Sequence, residues 1–249
     1  MRAPDWLTAR PVAHRGLHNA ARGVIENTPS AFAAAIDAGY GIETDVQASR
    51  DGEAMVHHDE VLGRLTEGSG PLAALTAAEL ALVPYRATSD RMITLGELCA
   101  RIGGRVALTV EIKSAFERDE RLLTRVGQVL SGYAGPAAAM SFDPHLVAGL
   151  RRLAPRLPRG IVAQRHYDGD EWQYINEWQR ISMAHLLHAP STRPDFVAYR
   201  VDDLPAPATR LARRVGVPVL TWTVRTPEQR QRAAAWADQM IFEGFRPSP

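Results

Sequence analysis

The stretch GIETDVQASRDGEAMVHHDE, residues 41–60, reads as a buried strand, yet it carries Glu43 and Asp45 two positions apart and His57 and His58 a dozen residues later. Residues two apart in a strand project from one face, with Cα atoms about 6.6 Å apart. Glu43 and Asp45 therefore share a face opposite Ile42 and Val46, and in VALTVEIK the same alternation places Glu111 and Lys113 opposite Val110 and Ile112. An isolated ionised carboxylate out of water costs on the order of several kcal/mol, so a cation is expected among Glu43, Asp45 and Glu111. All-oxygen ligands favour one hard divalent cation, Mg²⁺ or Ca²⁺, over zinc, which prefers nitrogen and sulfur. Salt bridges to arginine are the alternative, since one E-x-D is common and only its pairing with E-x-K raises the specificity.

Lys113 is the single lysine among 29 basic residues, which marks a place where a compact ammonium is required in a chain otherwise written in arginine, or else a chance survivor. The first strand ends in AHRG. His14 can move a proton near neutrality, Arg15 presents a planar fork suited to phosphate, and Gly16 permits a sharp turn. In AMVHHD, alternation sends His57 and His58 to opposite faces, so only one can look into a site. His18, His145, His166, His185 and His188 fall in less telling text and are expected to be surface or structural.

These residues need a scaffold. Eight β-rich runs, PVAH, GIETDV, VALTVEIK, AAAMSF, RGIVAQ, FVAYRV, VPVLTWTV and QMIFEG, alternate with helical patterns over 30–38, 95–102, 118–130, 144–153, 171–187, 208–215 and 227–237, the first behind a cap-like Thr28-Pro29. Alternating strands and crossovers over 249 residues predict an α/β fold, a TIM (β/α)8 barrel, with a doubly wound open sheet as the runner-up. Its sites would sit where strands end. The connection from strand two to strand three, 47–105, is longer than a βα unit needs and carries TEGSGP, so a small insertion, roughly 59–105, is expected over the mouth. After QMIFEG only FRPSP follows, leaving no room for a regular eighth helix, and the N-terminal DWLTA or an oligomer partner is expected on that flank. Without repeats or linkers, the whole chain, 1–249, reads as one domain.

Composition narrows the function classes. A net charge of +1, with both signs scattered, offers no basic groove for nucleic acid. MRAPDWLTARPVAHRG lacks an apolar signal region and no run approaches 18 apolar residues, so a soluble cytoplasmic protein is expected. Cys99, the one cysteine, has no internal disulfide partner and reads as a small apolar side chain on a helix.

Taken in order and spacing, HRG, ENTPSAF, GIETDV, SRDG, HHD and EIK closely resemble the glycerophosphodiester phosphodiesterases. The resemblance is strongest from Val12 to Lys113 and continues more loosely through SFDP at Ser141 and LTWTV at Leu220. It implies a TIM barrel with an insertion after strand two that hydrolyses glycerophosphodiesters to glycerol 3-phosphate and an alcohol with a divalent metal. It also implies a general acid/base pair at His14 and His58, metal carboxylates at Glu43, Asp45 and Glu111, and phosphate contacts at Arg15 and Lys113. The family pattern selects His58 over His57. Two segments depart from it: the family's W-T-V-N reads Trp222-Thr223-Val224-Arg225, and its T-D-x-P reads Phe242-Glu243-Gly244-Phe245. Both fall where the alcohol or glycerol would lie. Trp222 could stack on glycerol or a choline-like cation, or simply fill core, as Phe142 is expected to do. Glu26-Asn27-Thr28 is expected to position a loop and cap the next helix.

The expected chemistry is cleavage of a phosphodiester, with His14 as acid and His58 as base, by a glycerol hydroxyl or by water. A Schiff-base lyase or aldolase using Lys113 competes, but needs a neutral amine that adjacent carboxylates disfavour. A module that merely holds a phospho-headgroup would have no use for two histidines.

Overall fold

The computed structural model describes residues 3–169 and 172–248. Eight parallel strands form the wall: β1 (Val12–Ala13), β2 (Gly41–Ala48), β6 (Leu108–Ile112), β7 (Ala137–Ser141), β8 (Arg159–Ala163), β9 (Phe196–Arg200), β10 (Val219–Val224) and β11 (Gln239–Phe242). They pair in the order β1-β11-β10-β9-β8-β7-β6-β2, and β2 pairs back onto β1, so the sheet closes on itself as a TIM barrel. Alternation along each strand separates two cores. Val12, Met140, Val162, Ala198, Leu220 and Ile241 fill the interior with Phe196, whereas Ile42, Val46, Val110 and Ile112 face the helices. Gly160 makes room for one of these: a Cβ there would lie 2.3 Å from the Phe196 ring.

The helices follow the amphipathic patterns closely. α4 (Leu95–Ile102) opens on a capping box from Thr94 and Glu97, buries Leu95, Leu98, Cys99 and Ile102, and stops at Gly103, whose φ of 56° ends the helix in the left-handed region. α5 (Arg121–Ser131) and α6 (Pro144–Leu153) begin and end within three residues of the ranges read from periodicity. The helix expected over 171–187 is shorter, α7 (Glu177–Ala184), with its own capping box at Asn176; Glu171 lies outside the described residues. Thr28 precedes α2 (Pro29–Asp37) without a side-chain cap, because its hydroxyl donates to the Ile25 carbonyl instead. Among the described residues no helix is long and apolar enough to cross a membrane.

The connection beyond β2 begins as a hairpin. β3 (Ala54–Val56) folds back antiparallel onto the far end of β2, and β4 (Val61–Leu62) pairs with β5 (Gly70–Pro71). Met55, Leu62, Leu72, Leu80, Tyr85 and Met92 give this segment a small core that also takes in Ile25. The flank without an eighth helix is covered differently from the expectation. The N-terminal turn α1 (Trp6–Ala9) drives Leu7 into the barrel interior, so it closes the base. The tail covers the flank: Phe245 packs 5.4 Å from Phe242, the Arg230 guanidinium lies 4.9 Å over Phe245, and the Tyr40 hydroxyl donates to the Pro247 carbonyl at 2.6 Å.

His188, expected to be surface or structural, precedes the short helix α8 (Ala189–Thr192) with its Nε2 buried and unpartnered. Burial pushes its pKa down to about 4, so between pH 6.5 and 4 the unfolded chain takes up a proton that the folded one refuses. Stability is expected to fall over that window by on the order of 2 kcal/mol from this residue. Thermal unfolding of His188→Gln should show a flatter pH profile than the parent between those limits.

Candidate active site

The acidic residues meet at the C-terminal ends of neighbouring strands. β2 and β6 pair in register with Asp45 opposite Glu111, and both side chains, with Glu43, point into the mouth. Each carboxylate offers an oxygen within 4.8 Å of the others, and all three are buried. Lys113 bridges two of them, its Nζ 2.7 Å from Asp45 Oδ1 and 2.6 Å from Glu111 Oε1. Asp45 Oδ2 accepts from Asn27 Nδ2 at 2.9 Å and lies 3.1 Å from Arg15 Nε. Glu43 accepts the Arg15 backbone N–H at 3.1 Å, and no lysine or arginine side chain among the described residues comes within ion-pairing distance of it.

The electrostatics follow from these partners. Burial would raise the Asp45 pKa, but Lys113 and Arg15 hold it far below the usual carboxylate range. Glu43 moves the other way: burial, then repulsion from Asp45 and Glu111, drive it well above its ordinary value. Burial alone would lower Lys113, yet Asp45 and Glu111 raise it above an ordinary lysine. Three buried carboxylates against two cations, one of them also paired to Glu26, leave negative charge uncompensated around Glu43. A hard dication with oxygen ligands fits that donor set.

β1 ends one residue before the second group. His14 faces the mouth, and Arg15 (φ 55°) and Gly16 (φ 80°) turn the chain sharply. A Cβ on Gly16 would lie 2.9 Å from Ala31 Cβ in α2, so the close approach itself requires glycine. His14 Nδ1 lies 2.8 Å from Glu243 Oε2, and Nε2 lies 3.9 Å from Glu43 Oε2. Arg225 donates to the same Glu243 oxygen at 2.9 Å, so the two departures from the family pattern contact each other. Burial raises Glu243, while His14 and Arg225 bring it down to about 2. Burial lowers His14, and Glu243 opposes that shift. His18, expected to be surface or structural, lies with Nε2 3.9 Å from Glu243 Oε2.

His58 follows β3, where the insertion begins. Its Nδ1 lies 2.8 Å from Asp59 Oδ1, and Gln47 Nε2 donates to its carbonyl at 2.9 Å. Arg64 grips Asp59 with two bonds of 2.6 and 3.0 Å and reaches Glu26 at 2.7 Å, while Glu26 accepts from Arg15 at 2.6 Å. Charge thus alternates without a gap from Asp59 through Arg64, Glu26 and Arg15 to Asp45, with His58 hydrogen-bonded to the outer end of the chain. His57 is buried on the other face, 6.4 Å from the Tyr85 ring, with its pKa lowered by burial. Trp222 lines the mouth farther round. Its Nε1 donates to the Ala198 carbonyl at 3.0 Å and its ring meets Phe142 edge-on at 5.5 Å. Phe142, expected in the core, is partly exposed and continues the aromatic wall to Trp172 and Tyr167.

The structure therefore gathers His14, Arg15, Glu43, Asp45, Glu111 and Lys113 around one point, ties His58 to them through ion pairs, and sets Trp222 in the adjoining wall. Asn27, Glu26, Asp59 and Arg64 were not singled out for the site from sequence, and Glu243 was placed only on the substrate side, not as the partner of His14. Asp59 follows His58 directly and Arg64 lies five residues beyond it, but nothing local shows that Arg64 turns toward Glu26.

Fold and site together define a TIM-barrel enzyme with an acidic cradle between two carboxylate-anchored histidines. A profile of the Glycerophosphoryl diester phosphodiesterase family matches residues 14–245. The chain belongs to that family of phosphoric diester hydrolases. The glycerophosphodiester phosphodiesterase of Caldanaerobacter subterraneus subsp. tengcongensis is 28% identical over 233 residues, spanning 89% of this chain and 88% of the relative. Two solved structures share the fold. The Oleispira antarctica phosphodiesterase in complex with the product sn-glycerol-3-phosphate superposes with a TM-score of 0.77 at 20% identity, over 93% of this chain and 91% of the other. The glycerophosphodiester phosphodiesterase of Thermotoga maritima gives 0.70 at 23% identity, over 94% of each.

Proposed function

We propose that the protein hydrolyses glycerophosphodiesters to glycerol 3-phosphate and an alcohol in a divalent-cation-dependent reaction, with His14 and His58 sharing the proton transfers. One observation carries the reading: buried Glu43, Asp45 and Glu111 converge with a charge deficit at Glu43, between two histidines whose Nδ1 atoms are each held by a carboxylate. Glu43, Asp45 and Glu111 would hold the ion, Mg²⁺ or Ca²⁺, which supplies Lewis-acid polarisation of a phosphoryl oxygen when bound.

The remaining work falls to the chain itself. Glu243 and Asp59 fix the tautomers of His14 and His58, leaving each Nε2 for substrate. Lys113 keeps a third N–H beyond its two carboxylate bonds, and Arg15 keeps donors beyond those on Glu26 and Asp45, so both can turn toward phosphate oxygens. His58 removes a proton from the nucleophile and His14 delivers one to the departing alkoxide. The aromatic wall of Trp222 and Phe142 receives glycerol or the headgroup. A Lys113 Schiff base is disfavoured, because Asp45 and Glu111 keep the amine charged. The site also suits a small-molecule substrate in a cytoplasmic protein, alone or as a homo-oligomer.

A panel of glycerophosphodiesters against Mg²⁺, Ca²⁺ and chelator, read by glycerol 3-phosphate release, tests the reading; activity that survives chelation defeats it. The nucleophile is the glycerol hydroxyl beside the phosphate: it loses its proton to His58 and displaces the alcohol, giving a cyclic phosphate. Water opens that ring to glycerol 3-phosphate, with His14 taking the water's proton and His58 returning one to the freed hydroxyl. A substrate lacking that hydroxyl is expected to be turned over at least about 100-fold more slowly, given the effective molarity of an internal nucleophile. Equal rates would assign the attack to water.

A further inference from the structure

His18 lies outside the proton-transfer scheme, yet its Nε2 is buried without a hydrogen-bond partner and faces Glu243. Glu243 Oε2 is 3.9 Å from His18 Nε2 and 2.8 Å from His14 Nδ1, and the three groups can place one ligand atom each within 4.8 Å of the others. Ligand atoms on a tetrahedral zinc ion, at about 2.0–2.1 Å from the metal, stand roughly 3.3 Å apart, a spacing that these two distances bracket. Small side-chain rotations close the set. Two imidazole nitrogens and one carboxylate also differ in kind from the all-oxygen cradle of Glu43, Asp45 and Glu111, and favour a transition-metal dication over Mg²⁺ or Ca²⁺.

We infer that His14, His18 and Glu243 form a second, inhibitory metal site that takes Zn²⁺ and withdraws His14 from proton transfer. Zinc bound at His14 Nδ1 leaves the ring's one proton on Nε2. That nitrogen can still donate a hydrogen bond, but it has no lone pair with which to cycle between imidazole and imidazolium. Arg225, on the same Glu243 oxygen, and Arg15 oppose the ion. Arg225 is half exposed and can leave toward solvent, so Arg225→Gln is expected to tighten zinc binding. Metal capture stands by itself; only its effect on turnover rests on the hydrolase reading above.

Calorimetric titration of Zn²⁺ into the full chain held in excess Mg²⁺ tests the binding, with Co²⁺ substitution reporting a low-coordinate ligand field in the visible spectrum. Losing an outer-shell partner of a metal ligand already costs 10–100-fold in affinity, so His18→Ala, which removes a direct ligand, should weaken binding by about 100-fold and abolish the Co²⁺ bands. Its Mg²⁺-dependent turnover without zinc should match the parent, while the zinc concentration for half inhibition rises in parallel with the binding constant. His18→Asn provides a second fold-preserving variant. Unchanged zinc affinity in both variants would overturn the inference. So would inhibition relieved in full by raising Mg²⁺, because that places zinc in the acidic cradle.

Discussion

Alanine at His14 or at His58 is expected to lower kcat on an alkyl glycerophosphodiester by about 10²–10⁴-fold, the usual scale for one positioned acid or base. The two losses differ in origin, and a substrate with an activated aryl leaving group separates them. An aryloxide departs without protonation, so the acid's contribution drops out and the deficit of His14→Ala should shrink to about 10-fold on that substrate. The deficit of His58→Ala should persist, because the nucleophile still has a proton to lose. Rescue of His58→Ala in place of His14→Ala would exchange the two roles. Glu243→Gln adds a control on positioning: Gln can still accept from Nδ1–H but carries no charge to favour the imidazolium. It should depress the alkyl reaction more than the aryl one and move the basic limb of the pH profile to lower pH, because Glu243 raises the His14 pKa, which a merely structural residue would not do.

Glu43→Gln is expected to act in opposite directions on activity and on stability. The ion loses the carboxylate with no cation of its own, and cation-dependent turnover should fall by at least about 10²-fold, comparable to removing one electrostatic stabiliser from an active site. In the presence of chelator the same variant should unfold several degrees above the parent, because an uncompensated buried charge is replaced by a neutral amide of the same shape. Adding Mg²⁺ or Ca²⁺ should raise the melting temperature of the parent through mass action and leave the variant nearly unmoved. Asp45→Asn provides the contrast. Asp45 is already matched by Lys113 and Arg15, so its neutralisation strands two cations and destabilises the protein with or without the ion. If Glu43→Gln proved less stable than the parent in chelator, the charge deficit assigned to Glu43 would be wrong.

The barrel was legible because its strands are short, apolar and separated by helices with clear caps. PVAH shows how little sequence suffices: only Val12 and Ala13 pair as strand, yet they close the sheet. The acid cluster was legible for a related reason, since period-two alternation fixes which face Glu43, Asp45 and Glu111 occupy once they lie on strands. What alternation leaves open is contact between elements distant in sequence. Glu243 reaches His14 across 229 positions, and Arg64 reaches Glu26 across 38. Such pairs depend on how β11 docks against β1 and how the insertion folds back, neither of which has a local periodicity. The N-terminal turn was misplaced for the same reason: an apolar Leu7 must be buried, but sequence alone does not distinguish the barrel's base from its flank. Asn27 reads from sequence as a loop-positioning residue; what sequence does not show is that it accepts from Thr44 and donates to Asp45, tying the loop after β1 to β2 at the cradle.

The only lysine of the chain is locked between Asp45 and Glu111. Acylating reagents require an unprotonated amine with room for attack, and this one has neither. The outer surface is therefore mute to amine-directed coupling along its side chains, so attachment to a support or a dye must be addressed to arginine or to an introduced thiol. Conversely, acylation at position 113 would mark molecules whose cradle had come apart, making that amine a chemical witness of the intact centre.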